Sequence, residues 1–110
     1  MFFKQILPEE ERFLSSACIH PLKQRQVSEL VKKAKYYLPV KRIAVFGSAL
    51  TLRCRQDSDI DIVVWDKKRI FQPPANDKYD LVYADMLTPE WSAYNDIVNE
   101  GVIVYERDAD

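Results

Sequence analysis

Two neighbouring stretches decide how this chain reads: Lys41-Arg-Ile-Ala-Val-Phe-Gly-Ser48 and Gln56-Asp-Ser-Asp-Ile-Asp-Ile-Val-Val64. The first is β-branched and apolar from Lys41 to Phe46, which predicts a strand that stops at Gly47-Ser48. The second predicts another strand at Asp61-Ile-Val-Val-Trp65, entered through alternating acids. Residues i and i+2 of a strand share a face, so Asp59 and Asp61 are expected to project together, with Val63 and Trp65 continuing that face. Two carboxylates held side by side repel and raise each other's pKa unless a cation lies between them. A hard divalent ion such as Mg²⁺ meets that need, with carboxylate and phosphate oxygens as ligands. Gly47 is expected at a strand end, where backbone can approach a ligand closely and the next helix offers N–H groups to an anion.

Three other readings of the acids compete. A solvated loop rim explains an Asp-x-Asp pair taken alone. A calcium loop starting at Asp57 fails, because Ile62 stands where glycine is needed and Lys68 where glutamate is needed. A glycoside-hydrolysing pair needs carboxylates on opposite sides of the scissile bond, not adjacent on one strand face. Neither Gly-x-x-x-x-Gly-Lys-Ser/Thr nor Gly-x-Gly-x-x-Gly is present.

Working outward, residues 9–18 are expected to form a short helix. Residues 22–38 read as a longer one: Val27, Leu30, Val31, Ala34 and Leu38 recur at helical spacing, basic residues fill the other face, and Pro39 ends the pattern. Pro73-Pro74 and Asn76-Asp77 mark a loop. Tyr79 to Ala84 predicts a third strand. Thr88-Pro89 is expected to open a helix as N-cap and first residue, with Trp91, Tyr94, Ile97 and Val98 as its apolar stripe. Gly101 would stop that helix in the left-handed conformation, and Val102 to Tyr105 would return as a strand. The expected architecture is α/β (α+β): a small mixed sheet with flanking helices.

At 110 residues the chain is expected to be one domain, with a helical part over residues 1–38. The formal charge is −1, unlike a generic polyanion binder, so nucleic acid is not the expected partner. Charge is uneven, however: residues 22–42 hold seven bases and one acid, residues 76–110 nine acids and two bases. A solvated helix face is the usual cause of such asymmetry. No apolar run approaches the ~18 residues of a membrane span, and Pro8 followed by Glu9–Glu11 makes a poor signal peptide. Cys18 and Cys54 match no metal-ligand spacing, which suits reduced thiols and a cytoplasmic setting.

Phe46-Gly47-Ser48-Ala49 followed by Asp57-Ser58-Asp59-Ile60-Asp61 resembles the minimal nucleotidyltransferases of the DNA polymerase beta superfamily. Tyr79-Asp80-Leu81-Val82 resembles the segment that supplies that family's third acid, and Ile97 to Tyr105 its last helix and strand. The resemblance covers residues 40–107. Leu52 stands where many members have glycine, and Arg55 matches a position that is often basic.

The resemblance implies the polymerase beta-like fold. It implies a transfer of nucleoside monophosphate, AMP from ATP, to a hydroxyl acceptor with release of pyrophosphate. Asp59, Asp61 and Asp80 would be the catalytic acids and would hold two Mg²⁺ ions. Gly47, Ser48 and Arg55 would bind the phosphates, with Arg53 a further candidate. Asp85, near the end of the same strand as Asp80, is the alternative third acid. Small members of the family resemble antitoxins that adenylylate a HEPN-domain toxin ribonuclease, so a toxin partner is implied, and self-association is compatible with the resemblance. The short chain would then lack an acceptor domain of its own.

Two other functions compete. One is a binding protein of the same fold that neutralises its partner by contact. The other is a nucleic-acid module using the basic helix. His20 before Pro21 reads as a surface turn residue, Ser58 as a residue that orders its loop, and Trp65 and Trp91 as core. Lys23 reads as part of the solvated basic face.

Overall fold

The computed structural model describes residues 1–75, 78–91 and 94–107. Helix α1 (Pro21–Lys35) leads into strand β1 (Val40–Phe46), then β2 (Ile60–Asp66), β3 (Tyr79–Tyr83), helix α2 (Tyr94–Glu100) and β4 (Val102–Glu106). The four strands form one mixed sheet in the order β3-β2-β1-β4. β1 runs antiparallel to β2 and to β4, whereas β2 and β3 are parallel. The expected mixed α/β fold with a small sheet is therefore present.

The alternating pattern of the strands separates two apolar layers. Ile43 and Val45 of β1 and Ile60, Ile62 and Val64 of β2 pack against Val27, Leu30, Val31 and Ala34 of α1. Phe46 and Val63 point the other way and meet Ile97 of α2, with Trp65, Ala84, Leu87 and Trp91 at the edge of that smaller cluster. The parallel link from β2 to β3 is pinned by Asp66, a buried acid at the end of β2. Its carboxylate accepts N–H bonds from Lys68, Ile70 and Phe71 at 2.9–3.0 Å. Burial alone would raise its pKa, but the backbone donors outweigh that and hold it below the usual range. The turn places Phe71 in the main core, where Tyr83 Oη donates to its carbonyl at 2.9 Å.

Several expectations change. Residues 9–18 form two single 3₁₀ turns, Glu9–Glu11 and Ser16–Cys18, because Leu7 and Ile19 are buried individually and the strap between them follows the body of the protein. Gln24, fully buried in α1, anchors this strap: it accepts from the Ile6 N–H and donates to the carbonyls of Lys4 and Ile19. α1 stops at Lys35, so Leu38 lies beyond it and is exposed rather than core. Thr88 caps no helix. Its carbonyl accepts from the Trp91 N–H in a turn, and α2 starts at Tyr94. Val98 is exposed, so the packed side of α2 is narrower than expected. Asn76 and Asp77 lie outside the described residues.

Both glycines lie where expected, but the left-handed backbone expected at Gly101 is found at Gly47. Gly47 has the left-handed backbone, at φ +78°. Gly101 does separate α2 from β4, but for lack of space: an added Cβ would lie 2.7 Å from the Ile97 carbonyl oxygen.

Candidate functional site

The site gathers at one end of the two central strands. In the parallel register of β2 and β3, Asp61 lies directly beside Asp80. In the antiparallel register of β1 and β2, Asp61 lies opposite Phe46, the residue before Gly47. Neighbouring strands are about 4.8 Å apart, so these registers bring the acids and the Gly-Ser turn to one place. Gly47 touches Asp61 so closely that an added Cβ would overlap Asp61 Oδ2 and lie 3.3 Å from its Cγ. Glycine is thus required twice, for the positive φ and for the carboxylate against it.

Asp61 is half-buried, and its pKa is pushed up to about 6. Burial is the largest cause, followed by the charge of Asp80, a hydrogen bond with Asp80 and the charge of Asp59. Asp59 sits one residue before β2 and is exposed, as is Asp80. Asp61 and Asp80 are therefore coupled directly, and Asp59 acts on them from the rim. The alternative acid, Asp85, accepts a bidentate pair from Arg69 at 2.7–3.1 Å.

The segment after β1 is a four-residue 3₁₀ helix, Gly47–Leu50, where a short helix was expected. Ser48 is half-buried in it, and its carbonyl accepts from the Thr51 N–H and Thr51 Oγ1. From there the chain goes to Asp59 through a series of turns. Ser58 Oγ accepts from the Arg55 N–H at 3.0 Å, so Ser58 orders its loop as expected. Arg53 and Arg55 are exposed, and among the described residues no ion pair ties either to a carboxylate. Leu52 is also exposed and so lies outside the turn's interior. Cys54 is buried, and burial pushes its thiol pKa up, away from reactivity.

Two contacts that sequence reasoning missed hold this loop to α1. The His20 N–H donates to the Ala49 carbonyl at 2.8 Å, within the Gly-Ser turn. Lys23 Nζ donates to the Gln56 carbonyl at 2.9 Å, three residues before Asp59. Lys23 is only 4% exposed and does not belong to a solvated face. His20 caps α1 through Nδ1, which accepts from the Leu22 N–H. The alternation of basic residues along α1 carried no sign that Lys23 turns inward.

The donor set is all carboxylate oxygen, which suits a hard divalent cation. Among the described residues no three His, Cys, Asp or Glu side chains converge into a ready metal cage. Mg²⁺ sites do not need one, because they commonly use one or two carboxylates and complete the shell with water and substrate phosphate. The coupled Asp61–Asp80 pair with Asp59 at its rim fits that pattern.

A mixed sheet backed by α1, with a Gly-Ser turn touching a strand-borne pair of acids, makes an α/β domain with an acidic site at one end of its central strands. The chain belongs to the nucleotidyltransferase domain family, whose model matches residues 25–104. The match spans both central strands, the Gly-Ser turn and all three acids. No curated protein and no solved structure matches the chain.

Proposed function

We propose that the protein transfers a nucleoside monophosphate, AMP from ATP, to a hydroxyl acceptor. The observation that carries this reading is the contact of Gly47 with Asp61 while Asp61 pairs in register with Asp80. The phosphate-facing turn and the acid pair form a single constellation.

The roles follow from placement. Gly47 and Ser48 offer close-approaching backbone and a hydroxyl to the triphosphate, and Arg55 (with Arg53) is free to swing onto it and offset its charge. Asp59, Asp61 and Asp80 are the catalytic acids and would hold two Mg²⁺ ions. Such ions, when bound, polarise the phosphoryl oxygens and offset charge on the attacking and leaving oxygens. Asp80, more open than its strand neighbour Asp61, accepts the acceptor hydroxyl's proton. The acceptor oxygen bonds to the α-phosphorus, the α–β bridging bond breaks, and pyrophosphate leaves. Asp61 ligates a cation only when ionised, so Mg²⁺ binding by the metal-free protein should strengthen as pH rises through about 6.

The finer assignment is a minimal nucleotidyltransferase acting as a cytoplasmic antitoxin, in one domain over residues 1–110, that modifies a HEPN-type toxin. Its support is the local resemblance over residues 40–107. Among the described residues no helix is long and apolar enough to cross a membrane.

The test is incubation with labelled ATP, Mg²⁺ and a helical HEPN-domain ribonuclease. Label should reach the partner, and Asp59→Asn and Asp61→Asn should abolish transfer. Partner inhibition that survives both substitutions without label would replace the enzymatic reading with neutralisation by contact.

A further inference from the structure

A second polar site lies behind the acid loop, on the α1 side of the sheet. A cavity of about 230 Å³ opens there between α1, the loop at residues 56–58 and the entry to β3. Ile60, which lines it, belongs to the core layer facing α1, so the cavity is across the sheet from Asp61 and Asp80.

The lining is rich in donors. Among the described lining residues, Lys23 and Lys78 contribute two ammonium groups and Asp57 one carboxylate. Gln26, Gln56 and Ser58 add neutral polar groups. Lys23 makes this more than a surface feature. Its side chain is almost wholly buried, yet among the described residues its ammonium meets one acceptor, the Gln56 carbonyl, and no carboxylate. An ammonium has three N–H donors, and a buried charge is costly unless paired and hydrogen-bonded. An anion in the cavity that Lys23 lines would answer that charge. At roughly 30 Å³ per water, the cavity has room for a tetrahedral oxyanion and several waters.

We propose that this cavity is an oxyanion site for a phosphoryl group, held between Lys23 and Lys78 with Ser58 and the glutamines as further donors. It is separate from the nucleotide's phosphate turn at Gly47-Ser48. Its wall is the Gln56–Ser58 loop that delivers Asp59, so occupancy stiffens the approach to the acids from behind.

The experiment titrates the whole protein with inorganic phosphate and, separately, with AMP, without metal, following backbone amide shifts by NMR. Saturable shifts at Gln56, Asp57, Ser58 and Lys78 are expected at millimolar ligand. Lys78→Ala, at an exposed position, should weaken binding about tenfold, as loss of one charge-assisted contact would. Lys23→Met should abolish it, with thermal melting reporting whether that variant folds. Ser48→Ala should leave it unchanged. Tighter binding of AMP would identify a phosphomonoester as the ligand, and tighter binding of phosphate a free anion. Shifts confined to Gly47 and Ser48, affinity unchanged in Lys78→Ala, or no saturation would each overturn the proposal. The assay uses neither metal nor turnover, so its outcome is independent of nucleotidyl transfer.

Discussion

Replacing Asp61 by asparagine should stabilise the fold at neutral pH while abolishing the proposed transfer. Burial, Asp80 and Asp59 raise the Asp61 pKa from the usual 3.8 to about 6. An acid whose folded pKa is raised binds its proton more tightly in the native state. Native stability is therefore unaffected below pH 3.8 and falls as pH rises through about 6. At about 1.36 kcal/mol per pH unit, that rise sets a ceiling near 3 kcal/mol, and solvent screening at this half-open site reduces it to about 1–2 kcal/mol. The asparagine side chain is nearly isosteric and carries no charge, so the variant escapes the penalty. Urea unfolding of both proteins between pH 4 and pH 8 is the assay. The stability difference should be near zero at the acid end and grow in favour of Asp61→Asn with rising pH. Mg²⁺ with nucleotide should close the gap by stabilising the wild type alone. A variant less stable than wild type at pH 8, or a difference independent of pH, would refute the claim that uncompensated carboxylate charge is stored at this position.

Gly47→Ala combines a left-handed backbone, which costs an alanine about 1–2 kcal/mol, with overlap onto Asp61. Thermal unfolding should show at least that loss, and nucleotide binding should fall further than stability does. Asp80→Asn should eliminate label transfer, whereas Asp85→Asn breaks only an exposed pair with Arg69, leaves transfer intact and barely moves the melting temperature. Equal activity in the two variants would exchange their assignments. Asp66→Ala strands the buried Phe71 N–H and the partly buried Ile70 N–H, an expected loss of about 2–3 kcal/mol by denaturant titration. Because the Asp66 pKa is depressed, its contribution is present above the ordinary carboxylate range and lost on acidification, so the two stability curves should converge at low pH.

Local chemistry that repeats along the chain was readable in advance. The apolar runs at 41–46, 61–65 and 79–84 lie within a residue or two of β1, β2 and β3, because strands covered on both faces read as near-continuous β-branched, apolar runs. The spacing of Gly47-Ser48 from Asp59 and Asp61 was readable too, since both motifs are contiguous. Misreadings fell where a neighbour outside the segment decides the outcome. The 9–18 stretch has helical composition, but Gln24 captures its flanking backbone and leaves only single turns. Thr88-Pro89 has the chemistry of a helix start, yet Trp91 bonds back to Thr88 in a turn. Lys23 has the look of one more surface cation in a basic run, and only the loop folding over α1 buries it.

The amino-acid sequence by itself determined the strand set, the mixed α/β class, and the residue types of a Gly-Ser turn and an acid pair, because these depend on neighbours in the chain. Tertiary structure decided which acid stands beside Asp61. That choice rests on the parallel register of β2 with β3, across a connection whose length alone permits other pairings. It also decided that Gly47 is held by contact with a carboxylate from another strand, and that Lys23 serves the loop instead of the solvent. Each is a contact between residues distant in sequence, fixed only when the sheet closes its register and α1 is laid across it.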